Sequence, residues 1–293
     1  MRLTIKSKSL LFAVIIAAVL VLFILLYNVF SGRLMLPQSF AVGTVVIHYY
    51  GLVMAAAVLA GYLLARKRAA RYGLSAGQAD DIIFWAVIGG FVGARLYHIA
   101  SSFGYYWTHP ADIIKVWNGG LSIYGVIFGG MLAILLYQKI LHHKSYILNL
   151  FDWLAPSVLL GQIIGRFGNL FNYEIIGYPT NLPWKMFVPA AFRPVEYLPY
   201  AYFHPFFLYE VLGNIIIFIY LLKFRKNRWP GSLSFSYLLL YNALRFFLEF
   251  IRTDSTFIGP LRLNAVMSFA LAATAAGCLW SLKRYNNRDA EIS

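Results

Sequence analysis

From Leu10 to Phe30 the chain reads LLFAVIIAAVLVLFILLYNVF without one charged residue. A hydrocarbon core is crossed by about 20 predominantly apolar residues in a helix, so this run is long enough to span a bilayer. Seven further apolar runs follow, at 44–65, 82–100, 121–139, 150–171, 206–223, 233–251 and 264–282. In lipid every backbone polar group must be satisfied within the segment, which leaves helices for runs of this kind. The pattern predicts an all-α polytopic membrane protein with about eight transmembrane helices.

Composition agrees. The chain is 60% hydrophobic and 12% charged, with mean hydropathy +0.67. A soluble domain carries about twice that charged fraction. The first run exceeds the apolar core of a cleaved signal peptide, so it is expected to stay as a helix. The net charge of +14 does not point to nucleic acid, because the basic residues form short clusters between apolar runs. They fall at Arg2, Lys6 and Lys8, at Arg66–Arg71, at Lys139 and Lys144, at Lys223–Arg228, and at Lys283, Arg284 and Arg288. Such alternation fits eight spans with both ends cytoplasmic, and meets anionic headgroups of the lipid bilayer. Residues 172–205 hold Pro179, Pro183, Pro189, Pro194 and Pro199, and are expected to form a small extracytoplasmic cap. The expected layout is an N-terminal helix and linker over 1–40, a membrane domain over 41–284 and a cytoplasmic tail over 285–293.

The polar residues inside the spans are few and gather on one side. Arg166 and Asn169 stand near the outer end of the fifth span. Tyr241, Arg245, Glu249 and Arg252 step by four, four and three along the seventh, which places them on one stripe. His204, Tyr209 and Glu210 open the sixth, Tyr49 and Tyr50 the second, and Ser122 and Tyr124 the fourth; Arg95 and His98 close the third. Intramembrane ionisable residues are costly and face a protein interior or cavity. Pairing along one helix or snorkelling accounts for any one of them alone, but not for a common depth on six helices. Paired guanidinium groups suit a phosphate gripped through bidentate hydrogen bonds. At the outer leaflet that phosphate belongs to a phospholipid. Asp80, Asp81 and Asp152, by contrast, read as structural carboxylates near helix starts. Gly89/Gly93, Gly125/Gly129 and Gly161/Gly165 read as sites of close helix approach. The lone Cys278 and the histidine spacing give no disulfide framework and no metal-site pattern, and no cofactor motif stands out.

The stretch GRFGNLFNYEIIG, residues 165–177, resembles the signature of the phosphatidylglycerol–prolipoprotein diacylglyceryl transferases, G-R-x-G-N-F-x-N-x-E-x-x-G, with Leu170 in place of the family's usual Phe. The likeness extends through HYYG at 48–51, GARLYH at 93–98, WNGGLSIYG at 117–125, HPFFLYE at 204–210 and YNALRFFLEFIR at 241–252. It covers roughly residues 42–283 in order. The resemblance implies a bacterial inner-membrane enzyme. It would move the diacylglyceryl group of phosphatidylglycerol onto the lipobox cysteine of a prolipoprotein signal peptide, releasing glycerol 1-phosphate. By the same likeness Arg166 and Arg245 would hold the lipid phosphate. Asn169, Glu174, Glu249, Tyr241, Tyr50, His204 and Glu210 would shape the site.

Two departures from the family pattern stand out. Tyr124 occupies the position of the histidine often suggested as base, and one helix is added before a seven-helix core. Three function classes therefore compete: the transferase, a silent or acceptor-altered homologue that binds phospholipid, and a transporter. The transporter fits least, because the polar set is one-sided and no internal repeat is evident.

Overall fold

The computed structural model describes residues 5–140, 147–223 and 229–292; side chains at 5–12, 15, 18, 19, 118 and 287–292 fall outside the description. Helix α1 (Ile5–Phe30) leads to a hairpin of β1 (Ser39–Val42) and β2 (Val45–His48), followed by α2 (Tyr49–Arg68) and α3 (Ala76–Ser101). A short α4 (Phe103–Thr108) and two 3₁₀ turns precede α5 (Ile123–Ile140) and α6 (Ile147–Asn172). Strands β3 (Met186–Phe187) and β4 (Tyr202–Phe203) precede α7 (Phe206–Lys223) and α8 (Ser232–Glu249). A second small hairpin, β5 (Phe257–Ile258) with β6 (Leu261–Arg262), runs into α9 (Leu263–Ile292).

Each expected span coincides with a helix among the described residues. Six of these are long and apolar enough to cross a membrane, and Leu20–Phe30 of α1 is a shorter apolar stretch. The protein is a polytopic helical membrane protein. Helix α8 is more polar than these six, carrying Ser232, Ser234, Ser236, Asn242 and Glu249, all buried. Apolar side chains such as Phe23, Phe128, Ile216 and Phe269 lie more than 60% exposed, as surfaces facing lipid must.

One expected boundary moves. The run starting at 44 becomes helical only at Tyr49, because Val45, Val46 and Ile47 join a hairpin first. β-branched residues favour strands, and Gly43 at φ +61° supplies the left-handed first position of the two-residue turn. Of the basic clusters named above, Arg2, Lys144, Arg225, Lys226 and Arg228, with the side chains of Lys6, Lys8 and Arg288, lie outside the described residues.

The chain divides into two compact units. The first comprises residues 1–58, 159–224 and 236–280. Within it, the segment 172–205 holds β3 paired antiparallel to β4 and a bridge from Pro179 to Phe203. The end of α1 packs on this segment and on α7: Phe30 meets Phe207 edge to face, the Phe187 ring covers Gly32, and Leu36 N donates to the Tyr173 hydroxyl at 2.7 Å.

The second unit comprises residues 59–158, 225–235 and 281–293. Its α3 and α5 touch through glycines, as their spacing predicts: a Cβ on Gly93 would collide with the Gly125 carbonyl, and one on Gly129 with that of Gly89. Ser75 and Gln78 form a capping box at the start of α3. Trp153 is fully buried and donates to the Ala65 carbonyl at 2.7 Å. Asp80 pairs with Arg66 at 2.9 Å, and Asp81 accepts from the Tyr137 hydroxyl at 3.2 Å. Asp152 is structural for a different reason than its position suggests. Its two oxygens accept from Gly231 N (2.9 Å) and Ser234 N (2.7 Å), so it caps α8 rather than its own helix.

Candidate functional site

The first unit holds Tyr50, Arg166, Asn169, Glu174, His204, Glu210, Tyr241, Arg245 and Glu249. At its centre is Glu210, the fifth residue of α7 and wholly buried. Arg166 of α6 reaches it with Nε at 2.7 Å and Nη2 at 3.0 Å. Arg245 of α8 donates from Nη1 to the same Oε1 that Arg166 Nη2 reaches, at 2.7 Å. One carboxylate thus bridges two arginines, and the Arg245 guanidinium also lies over the Phe206 ring at 5.7 Å. Two partly buried cations side by side would repel, and withdrawing them from water is costly; the shared anion offsets both. The donors left without short carboxylate bonds include Nη1 of Arg166 and Nη2 of Arg245, the latter in a long bond of 3.4 Å to Glu249.

The signature residues after Arg166 each have a physical task. Gly168 makes room for Tyr50, whose ring would stand 2.8 Å from a Cβ there. Asn169 donates from Nδ2 to Glu174 Oε1 at 2.8 Å. Glu174 sits between Tyr173 (φ 52°) and Ile175 (φ 53°), both in left-handed conformation. That is a costly state for a β-branched residue, about 1–3 kcal/mol. Tyr173 is fixed by stacking on Phe192 and by its bond from Leu36 N. Gly177 closes the stretch against His204, where a Cβ would lie 2.6 Å from that of His204. The following main chain pairs with the exit of α8, through Tyr178 N to Ile251 O at 2.9 Å and Thr253 Oγ1 to Ile176 O at 2.9 Å.

His204 is held in a chain of its own. Trp184 Nε1 donates to the Tyr209 hydroxyl at 2.8 Å, and that hydroxyl lies 2.9 Å from His204 Nδ1. Burial pushes the His204 pKa below its ordinary value, which favours the neutral imidazole. Tyr241 lies one turn before Arg245, its ring 5.7 Å from that of Tyr237.

Tyr124 belongs to the second unit, where its half-exposed ring packs on Tyr97 at 5.8 Å. Arg95, expected with the polar set, clamps a loop there. Its Nε donates to Ile113 O (2.9 Å), its Nη1 to Gly119 O (2.8 Å) and Gly120 O (3.1 Å), and its Nη2 to Asp112 O. With every nitrogen on a carbonyl, Arg95 is structural.

Sequence reasoning named Arg252 without its partner and passed over Asp254, Arg262 and Asn264 in the first unit. Arg252, open to a snorkelling reading, pairs with Asp254, with Nη2 at 2.7 Å from Oδ2. Burial raises the Asp254 pKa, but the Arg252 hydrogen bonds and charge outweigh it and leave the carboxyl below its ordinary value. Arg262 and Asn264, which enter from the hairpin and the start of α9, bind the end of α8. Only the polar pair within LRLN, just ahead of an apolar run, could have flagged them. Among the described residues no group of three or more His, Cys, Asp or Glu is placed to hold a metal. Chemically the cluster offers paired guanidinium donors beside buried carboxylates, an arrangement for an oxyanion such as a phosphate.

The comparisons with known proteins point the same way. A family model described as prolipoprotein diacylglyceryl transferase matches residues 37–281, beginning just after α1. The chain is 40% identical over 271 residues to the phosphatidylglycerol–prolipoprotein diacylglyceryl transferase of Fervidobacterium nodosum, a match covering 91% of this chain and 92% of the relative. It is 42% identical over 236 residues to the enzyme of that name from Acaryochloris marina, covering 79% and 85%. The Thermotoga maritima protein of the same name is 40% identical over 255 residues, covering 85% and 86%.

Proposed function

The chain belongs to the prolipoprotein diacylglyceryl transferase family, and from that premise we propose that it transfers the diacylglyceryl group of phosphatidylglycerol to the lipobox cysteine of a prolipoprotein signal peptide. The observation that carries the reading is the pair Arg166 and Arg245 joined through the buried Glu210. The cysteine sulfur attacks the glyceryl carbon that bears the phosphate. A C–S bond forms, the C–O bond breaks, and glycerol 1-phosphate leaves with the bonding electrons. Charge grows on the departing phosphate, where preorganised guanidinium donors stabilise the transition state. Glu210 contributes by fixing the spacing of the two arginines before substrate arrives, so no reorganisation is required during the reaction. We place the protein in the bacterial cytoplasmic membrane with both termini cytoplasmic and the site toward the outer leaflet, following its basic clusters.

The thiol proton goes to solvent or to a basic group. A free cysteine is already a few per cent thiolate at neutral pH, so Tyr124 at the family's histidine position is compatible with turnover. That substitution also favours a second reading, a silent homologue that binds phospholipid. Incubating the purified protein with phosphatidylglycerol and a lipobox peptide, then weighing the peptide, decides between them. The transferase adds the mass of a diacylglyceryl group. A peptide of unchanged mass across pH 6 to 9, with Tyr124→His gaining activity, would establish the silent homologue instead.

A further inference from the structure

Glu249, the last residue of α8, is fully buried beside two guanidinium groups, yet its contacts to both are long. Its Oε2 accepts only a long hydrogen bond from Arg245 Nη2, at 3.4 Å, and stands 4.0 Å from Arg252 Nη1. A charge-assisted pair ordinarily closes to about 2.7–2.9 Å, as Arg245 itself does with Glu210 at 2.7 Å. Something holds Glu249 back on the other side. Asn264 Nδ2 donates to Oε1 at 3.0 Å. The main chain is fastened too: Arg262 Nη1 donates to the carbonyls of Glu249 (2.8 Å) and Arg252 (3.2 Å), while its Nη2 donates to the Tyr178 hydroxyl at 2.8 Å. The short run from Arg262 to Asn264 therefore restrains both the backbone and the carboxylate of Glu249.

We propose that Asn264 is a positioning residue for the phosphate grip: by holding Glu249 through Oε1, it keeps Nη2 of Arg245 available to the phosphate of phosphatidylglycerol. The inference rests on the transferase reading above. Asn264 touches no reacting atom and acts through Glu249. With the amide gone, Glu249 Oε1 loses its neutral partner, and the buried carboxylate regains hydrogen bonding by closing on Arg245. It then competes with the lipid for the same donor. Glu210 and Nη1 of Arg245 keep their bond, so the arginine stays in place and the loss falls on substrate affinity.

The test is a double-mutant cycle on the full chain in phosphatidylglycerol-containing micelles, following transfer to a lipobox peptide and, separately, equilibrium binding of phosphatidylglycerol. Asn264→Leu should raise KM and Kd for phosphatidylglycerol about tenfold, with kcat within about threefold of wild type. In a Glu249→Gln background, where no carboxylate remains to be restrained, the same leucine should weaken phosphatidylglycerol binding by less than about twofold. Wild-type KM and Kd in Asn264→Leu, or an equal loss of binding in both backgrounds, would overturn the proposal in favour of simple packing. If thermal unfolding shows that the leucine variant is not folded, the isosteric Asn264→Asp takes its place. Its added charge drives Glu249 toward the arginines, so phosphatidylglycerol binding must weaken by at least as much, and unchanged binding refutes the role. A wild type that binds lipid but never modifies the peptide defeats the transferase reading alone, since the binding arm still reads the position of Glu249.

Discussion

Arg245 donates from Nη1 to Oε1 of Glu210 at 2.7 Å, from one helix to another, and the carboxylate that receives it is wholly buried. Arg166 reaches the same carboxylate at 2.7 Å. Removing this one negative charge leaves two partly buried cations facing each other. Breaking such a pair costs about 3–5 kcal/mol. Glu210→Gln is therefore expected to lower the thermal midpoint and to reduce transfer at least about tenfold, because the arginines no longer share a fixed spacing. Unfolding curves and turnover measured on the same preparation check both parts. Normal turnover with an unchanged midpoint would mean that Glu210 is a bystander.

Arg166→Lys and Arg245→Lys keep the charge and lose the planar fork. Glu210 now engages Nε and Nη2 of Arg166 together, and a lysine offers a single ammonium in their place. Each variant is expected to insert normally and to lose most transfer, on the order of 100-fold or more, the scale of removing one preorganised donor. Wild-type rates in either variant would reassign that arginine to packing.

His204 predicts a dependence on pH. Burial holds its folded pKa below the ordinary 6.5, so in mildly acidic solution the unfolded chain binds a proton that the folded chain resists. Stability then rises with pH: the contribution is complete above about 6.5 and is lost as pH falls through the folded value. Asp254 and Asp112, whose pKa values are lowered, lose their contributions only below the ordinary carboxylate range and do not confuse this window. The thermal midpoint should drop between pH 7.5 and pH 5.5, and His204→Gln should flatten the difference. An equal midpoint at both values in the wild type would contradict a neutral, part-buried imidazole.

Helix α1 precedes the family match, which starts at residue 37. A chain beginning at Pro37 should insert and retain part of its turnover, because among the described residues α1 supplies none to the arginine cluster. It should also be less stable, since it lacks the Phe30–Phe207 contact and the bond from Leu36 N to Tyr173. Tyr173 is one of the left-handed residues flanking Glu174, so the loss should reach the segment 172–205. Activity and unfolding of the shortened chain test this, and complete inactivity in a folded preparation would give α1 a direct role.

The helices were legible in the sequence because apolarity over about 20 residues is a local property that the bilayer reads segment by segment. The arginines, the Asn169–Glu174 stretch and the α8 stripe were legible for the same reason: a charged or amide side chain inside such a run stands out against its neighbours. Partnership was not. Arg166 and Arg245 meet Glu210 across 44 and 35 residues of chain. Asp152 caps a helix about 80 residues away instead of its own, and Arg95, alike in kind to Arg166, ends on loop carbonyls rather than on a carboxylate. Which oxygen a guanidinium finds is fixed to a few tenths of an ångström by how helices pack, and no local pattern carries that distance. The sequence by itself determined a polytopic helical protein and the chemistry available to its site. Only tertiary structure decided that Glu210 joins the arginines and that Asn264 holds Glu249, because hydrogen bonds depend on separations that exist only once distant segments have packed.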